Sequence, residues 1–182
     1  VLPMVIKNVC KVIDCRVQFT VEVAKYYETN FLCKEGLVRS DKEMMVGMLG
    51  YVGLAECVNT IMGKPHGYGN DPECDALGEK IMDVINDEIN RYAPKYGVIK
   101  LHAQVGIMSD TESSPGGRIP IGDEPSMPQH LYHFSRMHKY CVAGCGEIFP
   151  FDQTVNNKPQ AILDIIKGAF RIGVRYISFY SS

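Results

Sequence analysis

The sequence predicts an α/β protein, in which amphipathic helices alternate with short strands. Residues 98–107 alternate apolar and polar side chains, with the period of two that is typical of a strand with one buried face. Apolar residues recur at helical spacing in four other segments, and a second strand is predicted near the end of the chain. This order of elements favours part of a larger sheet or barrel, because two strands cannot close one.

Each predicted helix has a recognisable start or stop. The first covers residues 4–32 and is expected to stop at Gly36, because glycine readily adopts the left-handed conformation of a helix end. The second runs over residues 53–63 between two glycines. The third begins at 71 with proline in its first turn and ends at 94, and the last covers 157–170.

The remaining segments are less regular. Residues 172–180 are predicted to form the final strand, whereas residues 109–129 are rich in glycine and proline and are predicted to form a long loop. A loop of this length in a compact domain is usually functional or disordered. Residues 139–150 fit neither period, and their structure stays open.

Composition excludes some classes of partner. The 182 residues carry a formal net charge of -2, which provides no electrostatic basis for binding nucleic acid or an anionic membrane. No apolar run reaches the roughly 20 residues of a membrane span, and the start of the chain lacks a signal-peptide pattern. Seven cysteines without a disulfide-type spacing indicate reduced thiols in a cytoplasmic protein.

Polar residues on and after the first strand are the main candidates for a binding site. His102 and Gln104 lie on its polar face, which either meets water or lines a cavity. The loop that follows offers hydroxyls, a carboxylate and a guanidinium that can bind an anion: Ser109, Asp110, Ser113, Ser114 and Arg118. The alternative is a solvated loop.

Histidines and cysteines cluster later in the chain. Imidazole and thiolate are zinc ligands, so a zinc-binding His/Cys interaction module is an alternative function, although the spacing matches no standard zinc finger. An iron–sulfur cluster motif needs a third cysteine nearby, and none follows. The five residues are His130, His133, His138, Cys141 and Cys145.

Glu56 stands at the start of the second predicted helix. It is either a surface carboxylate stabilised by the helix dipole or, if buried, a site residue. A third reading is a small α/β enzyme in which Glu56 or His102 acts as acid–base, but no nucleophile or cofactor motif accompanies them.

Several of these segments resemble a known family. Residues 50–56, Gly-Tyr-Val-Gly-Leu-Ala-Glu, resemble a signature of anaerobic ribonucleotide reductases. Over nearly the whole chain the pattern is similar to that of the YjjI-type glycyl radical enzymes, relatives of those reductases. The matching segments are residues 27–37, 101–110, 115–125, 157–161 and 168–170.

This resemblance implies that residues 1–182 form one partial domain of a ten-stranded glycyl-radical-type α/β barrel. In such enzymes a radical on a C-terminal glycine passes to a cysteine, which abstracts hydrogen from the substrate in a water-shielded interior. Cys141, Cys145 or a position upstream of Val1 would be that cysteine, and Glu56 and His102 would join the catalytic site. The polar strand face and the loop from Ser109 to Arg118 would bind a small substrate.

The resemblance also implies a radical-SAM activating enzyme as partner and a full-length homodimer, with no cofactor in this segment. The radical-glycine motif of the family, Arg-x-Thr-Gly-Tyr, is absent, and so is the N-terminal half of the barrel. The chain by itself is therefore expected to be an inactive fragment of a larger anaerobic enzyme.

Overall fold

The structure, a computed structural model, describes residues 1–103, 114–151 and 158–181. Helices predominate in these stretches, and their short strands pair two by two. The chain has two units: Val1–Leu49 with Asp83–Leu101, and Gly50–Met82 with His102–Ser182. The combination of helices and strands confirms the predicted α/β class.

The first unit begins with a long helix. Helix α1 covers Leu2–Gln18 and continues into a wider π-helical turn at Phe19–Val23. The predicted helix over residues 4–32 is therefore confirmed only in its first part, because Lys25 adopts a left-handed conformation with φ of 55°. Two single helical turns follow: α2 (Tyr26–Thr29) and α3 (Phe31–Lys34).

Gly36 ends α3, as the sequence predicts. Its φ is 67°, a conformation that costs glycine little because it has no Cβ. The Gly36 N–H donates to the Cys33 carbonyl at 3.1 Å, and the Leu37 N–H donates to the Leu32 carbonyl at 2.9 Å. This pair of bonds satisfies carbonyls that the helix end leaves without partners.

Strands β1 (Val46–Gly50) and β2 (Val98–His102) form a two-stranded sheet. A turn of 3-10 helix, Lys42–Met44, precedes β1. A Cβ on Gly47 would lie 2.3 Å from Cγ2 of Ile13, so α1 packs against the sheet closely enough to require glycine at this position. Ile99 and Leu101 are buried, which confirms the apolar face predicted for β2.

Helices α4 and α5 match their predicted bounds closely. Helix α4 covers Leu54–Met62, between Gly53 and Gly63, which are both left-handed, with φ of 78° and 64°. Helix α5 covers Pro72–Arg91 and begins with the predicted proline. The glycines and the proline define these boundaries locally, so their positions could be predicted without tertiary information.

The second unit continues through α6 (Met127–Met137), β3 (Ile148–Phe151), α7 (Pro159–Arg171) and β4 (Ser178–Ser181). Strands β3 and β4 pair in parallel, with Ile148 opposite Ser178. The predicted last helix and final strand are confirmed, although β4 begins later than the sequence pattern indicates.

Helix α6 was not predicted, and its first residues replace the end of the expected loop over 109–129. Its buried face carries His130 and His133 among Leu131, Phe134 and Met137. Histidines at core positions mask the apolar period from which a helix is recognised. This part of the loop prediction is therefore wrong.

Strand β2 is described as far as His102, and its predicted continuation to residue 107 stays a prediction. Ala103 makes one further parallel bridge, to Cys145, and positions 104–107 lie outside the described residues. The ten-stranded barrel is not seen in the described stretches, which contain two sheets of two strands each.

The core of the second unit surrounds Tyr68, which is fully buried. Its hydroxyl donates to the Gly117 carbonyl at 3.1 Å, and its N–H donates to Oδ1 of Asn59 at 2.8 Å. Both polar groups of a deeply buried residue are thus satisfied. The segment that carries Gly117 is thereby held against the core.

Large apolar side chains are also exposed in each unit. Met4 and Val12 on α1 are exposed, as are Leu163 and Phe170 on α7. Among the helices that the structure describes, none is both long and apolar enough to cross a membrane.

We predict that Gly69→Ala destabilises the protein much more than Gly122→Ala. Both glycines are left-handed, with φ of 86° and 91°, so each substitution costs about 1–2 kcal/mol of backbone strain. A Cβ on Gly69 would also lie 2.2 Å from Cδ1 of the fully buried Ile119, whereas nothing lies within 4 Å at Gly122. Overpacking adds about 1–3 kcal/mol.

Urea denaturation of both variants measures this difference. Equal unfolding midpoints for the two variants would show that the Ile119 side chain moves aside without cost.

Candidate functional site

Two of the predicted cysteines lie together in the second unit. Cys141 and Cys145 are 3% and 6% exposed, and they follow α6 in a tight turn. The Cys141 N–H donates to the Met137 carbonyl at 3.2 Å, and the Gly144 N–H donates to the Cys141 carbonyl at 3.1 Å. The turn reverses the chain, so that Cys145 reaches Ala103 at the end of β2.

Tyr51 completes this group. Its hydroxyl oxygen lies 3.5 Å from Sγ of Cys141. The pKa of the Cys141 thiol is lowered, because hydrogen bonds from Cys145 and Tyr51 outweigh the opposing effect of burial. The pKa of Cys145 is raised by its hydrogen bond to Cys141 and by burial, and that of Tyr51 is raised by burial and by Cys141. The Cys141 sulfur thus lies among polar groups that favour its ionised form over what burial alone would allow. We call Tyr51, Cys141 and Cys145 the thiol cluster.

Two glycines allow the 114–118 segment to approach this cluster. A Cβ on Gly116 would lie 2.6 Å from Cβ of Ala103. A Cβ on Gly117 would lie 3.3 Å from the Tyr51 hydroxyl and 2.8 Å from Cγ of Met137. Side chains at these positions would collide with the end of β2 and with α6, so the glycines are required for close packing.

His102 lies beside the same turn. It is partly buried, and a Cβ on Gly144 would lie 3.3 Å from its Nε2. Gly144 has φ of 135°, in the region that favours glycine. The structure therefore brings His102 to the loop that carries the two predicted cysteines.

Glu56 contacts a different predicted residue. Its Oε1 accepts the Ser114 N–H at 2.7 Å, and the Gly53 N–H donates to the Ser114 carbonyl at 2.8 Å. Its Oε2 is buried and has no hydrogen-bond partner among the described residues. Glu56 also lines a cavity of about 510 Å³ together with Thr60 and Asp123.

Arg118 binds a carboxylate that the sequence analysis did not identify. Its Nε lies 3.0 Å from Oε1 of Glu147, and Nε2 of His130 lies 3.4 Å from the other oxygen, Oε2. The Ile148 N–H also donates to Oε1 at 3.0 Å. The side chains of Glu147, His130 and Arg118 are 2%, 4% and 10% exposed. The one available signal was an isolated glutamate directly before the apolar residues of β3.

The five candidate zinc ligands do not converge. His130 faces Glu147, His133 lies 3.3 Å from Asp75, and the ring of His138 stacks edge-on against Phe134 at 4.5 Å. The described residues, which include all five, contain no group of three side chains placed to hold a metal ion. The zinc module is therefore not supported, because the histidines of α6 are committed to separate partners.

The structure does not describe the remaining candidate site residues. Gln104, Ser109, Asp110 and Ser113 lie outside the described residues, and their roles stay predictions. All seven cysteines lie within the described stretches, and none forms a disulfide.

The fold is similar to that of a solved anaerobic ribonucleotide reductase. The superposition has a TM-score of 0.67 and 12% sequence identity, and it covers 98% of this chain and 31% of that chain. At this identity the similarity concerns the fold. The class is thus a mixed α/β protein of the ribonucleotide-reductase-like type.

Sequence comparison identifies the family. The profile described as Glycyl radical enzyme YjjI-like matches residues 1–182. The uncharacterized protein YjjI of Escherichia coli K12 is 36% identical over 180 residues, which cover 96% of this chain and 34% of that protein. An uncharacterized protein of Haemophilus influenzae is 35% identical over 190 residues, covering 98% of this chain and 37% of that protein.

The chain belongs to the YjjI-like family of glycyl radical enzymes, which confirms the resemblance seen in the sequence. It spans about a third of the length of the curated relatives that it matches.

We predict that Arg118→Met lowers the free energy of unfolding by about 3–5 kcal/mol, because it leaves the buried Glu147 charge without its cation. Arg39→Met is the control. Arg39 also pairs with carboxylates, but it is 70% exposed, and loss of such a pair costs about 0–1 kcal/mol. Chemical denaturation of both variants compares the two losses. Similar small losses would show that Glu147 finds another donor.

Proposed function

We propose that the chain is part of the catalytic domain of a glycyl radical enzyme, in which Cys141 abstracts hydrogen from a small-molecule substrate. The observation that carries this proposal is the thiol cluster, in which the buried Cys141 sulfur contacts the Tyr51 hydroxyl and neighbours Cys145. Family membership supports the reaction class. Of the alternatives left open by the sequence, Cys141 is favoured because its sulfur lies 3.5 Å from the Tyr51 hydroxyl oxygen and the residue is almost fully buried.

The residues present fit radical chemistry of this kind. A radical on a glycine outside this chain would supply the unpaired electron. Cys141 would give up the hydrogen atom of its S–H bond to the Cα of the glycyl radical. Its sulfur would then take a hydrogen atom from a substrate C–H bond, which restores the thiol and leaves the unpaired electron on the substrate carbon. At 3% exposure, Cys141 is shielded from water, as reactive intermediates require.

Residues around the cluster would bind the substrate. His102 lies beside the turn of Cys141 and Cys145, and we propose that it contacts substrate or moves a proton there. Glu56 would act from its buried carboxylate. The proposed substrate contacts also include Gln104, Ser109, Asp110, Ser113, Ser114 and Arg118.

The rest of the enzyme would lie in other parts of a longer protein. The proposal includes a ten-stranded barrel, a homodimer, a cytoplasmic location and a radical-SAM activating enzyme that installs the radical. The match to about a third of each relative supports a larger protein. The exposed apolar side chains of α1 and of α7 support contacts with further structure.

We predict that Cys141→Ala blocks hydrogen exchange between the radical glycine and solvent. An S–H hydrogen exchanges with D₂O, so reversible transfer between Cys141 and the glycine would place deuterium on the glycine Cα. In electron paramagnetic resonance of the intact, anaerobically activated protein, the hydrogen-split signal should then collapse with time in D₂O. Removal of Cys141 should slow this collapse by at least about 100-fold, or about 2.7 kcal/mol.

Cys74→Ala is the matched control, because Cys74 is fully buried in the same unit but is not part of the thiol cluster. It should retain the exchange. Unchanged exchange in Cys141→Ala would assign the reaction to Cys145 or to a cysteine elsewhere in the protein.

We predict that Tyr51→Phe raises the pKa of Cys141, since the tyrosine hydrogen bond lowers it. The pH midpoint of thiolate absorbance in the ultraviolet, taken as the difference between proteins with and without the Cys141→Ala change, should move upward. Tyr68→Phe is the control, because the Tyr68 hydroxyl donates to the Gly117 carbonyl instead. The same absorbance difference measures the midpoint in both variants. An unchanged midpoint in Tyr51→Phe would show that Cys145 alone sets the pKa of Cys141.

A further inference from the structure

A second cavity lies between the N-terminal ends of α5 and α6, within the second unit. Its volume is about 470 Å³, in the range of small-molecule sites. The residues on which the argument depends are Pro72, Asp75, Gln129, Tyr132, His133 and Arg136, all of which line it.

The carboxylate that lines this cavity is already occupied. Oδ1 of Asp75 accepts the Gly69 N–H at 2.8 Å and lies 3.3 Å from Nδ1 of His133. Its Oδ2 lies 3.0 Å from Nη2 of Arg136. Burial raises the pKa of Asp75, but the hydrogen bond and charge of His133, with further bonds, lower it overall. Asp75 therefore holds the side chains of His133 and Arg136 in place and has little capacity left for a ligand.

His133 is one of the buried side chains that have a polar atom without a hydrogen-bond partner among the described residues. It is 3% exposed, and its Nε2 has no hydrogen-bond partner among the described residues. A buried polar atom without a partner is costly, and in a cavity wall it indicates a ligand that supplies the missing bond.

The start of α6 adds donors to the same cavity. The N-cap residue Ser126 makes no side-chain cap bond, because its hydroxyl donates to the Gln129 side chain at 2.7 Å. The first amides of a helix have no intrahelical acceptor, and the helix dipole favours an anion at this end. Gln129 carries one of these amides and lines the cavity.

The remaining wall is apolar. The ring of Tyr132, which is 60% exposed, lies below Arg136, with 5.7 Å between the ring centroid and Cζ. Three prolines complete this wall, at positions 72, 125 and 128. An aromatic face beside a guanidinium is suited to a ligand that joins a flat or apolar body to an anionic group.

We propose that this cavity binds a small organic oxyanion, a carboxylate or phosphate attached to a compact apolar body. Arg136 and the Gln129 N–H bind the oxyanion, His133 supplies a further polar contact, and Tyr132 packs against the body. The site contains none of the residues of the thiol cluster. A negative binding result would therefore not count against the proposed radical chemistry, and loss of the radical chemistry would not count against this site.

The test uses fluorine NMR on the intact protein with 4-fluorobenzoate and its neutral analogue 4-fluorobenzamide. The benzoate should bind with a Kd of about 1 mM or tighter, and the amide should bind at least about tenfold more weakly, or 1.4 kcal/mol. Phenyl phosphate, added as a competitor, distinguishes the oxyanions: displacement of benzoate shows that the site accepts phosphate, and its absence restricts the site to carboxylates.

Arg136→Gln should weaken benzoate binding at least about tenfold. Nε of Arg136 also lies 3.1 Å from Oε1 of Glu79. Lys139→Gln is the matched control, because Nζ of Lys139 lies 2.8 Å from the other oxygen of Glu79 but Lys139 does not line the cavity. It should bind benzoate within about twofold of the unmodified protein.

Tyr132→Ala provides a second test that does not depend on the buried ion pairs, since this side chain is mostly exposed. It should also weaken binding severalfold. Equal binding of benzoate and benzamide would overturn the proposal, as would unchanged benzoate binding in Tyr132→Ala.

Discussion

Ala103 joins the end of β2 to the turn that carries the two cysteines of the thiol cluster. Its N–H donates to the Gly144 carbonyl at 2.9 Å, and its carbonyl accepts the Gly146 N–H at 3.2 Å. This bridge places Cys145 at the strand end and puts Glu147 at the start of β3, where it meets Arg118. The candidate site depends on this short stretch of pairing, because Ala103 and Cys145 are more than forty positions apart in sequence.

Close backbone approach is the second constraint on the site. Gly116 and Gly117 allow the loop to contact Ala103 and Met137 at distances that exclude a side chain. The loop carbonyl at Gly117 then accepts the Tyr68 hydroxyl. Since interiors are packed at nearly crystalline density, little free space remains for water beside Cys141. A protected thiol thus follows from packing that glycines make possible.

Two largely buried carboxylates in the second unit each lie against their own pair of basic side chains. Glu147 is compensated by Arg118 and His130, and Asp75 by His133 and Arg136. Ionised groups remain buried where hydrogen bonds and opposite charges replace water. These two groups include both histidines of the first two turns of α6, which therefore face different carboxylates.

The elements that could be predicted from the sequence are those whose ends are marked by residues within the element or next to it. Gly53, Gly63 and Pro72 mark the bounds of α4 and α5, and alternation at Ile99 and Leu101 identified the buried face of β2. The family could also be recognised from the sequence, because its pattern is an order of motifs along the chain. Tertiary structure alone decided that α6 is a helix with histidines in its core, and that Tyr51 and Glu147 meet Cys141 and Arg118. Such pairings join residues far apart in the chain, and no local periodicity encodes which buried polar group will compensate another.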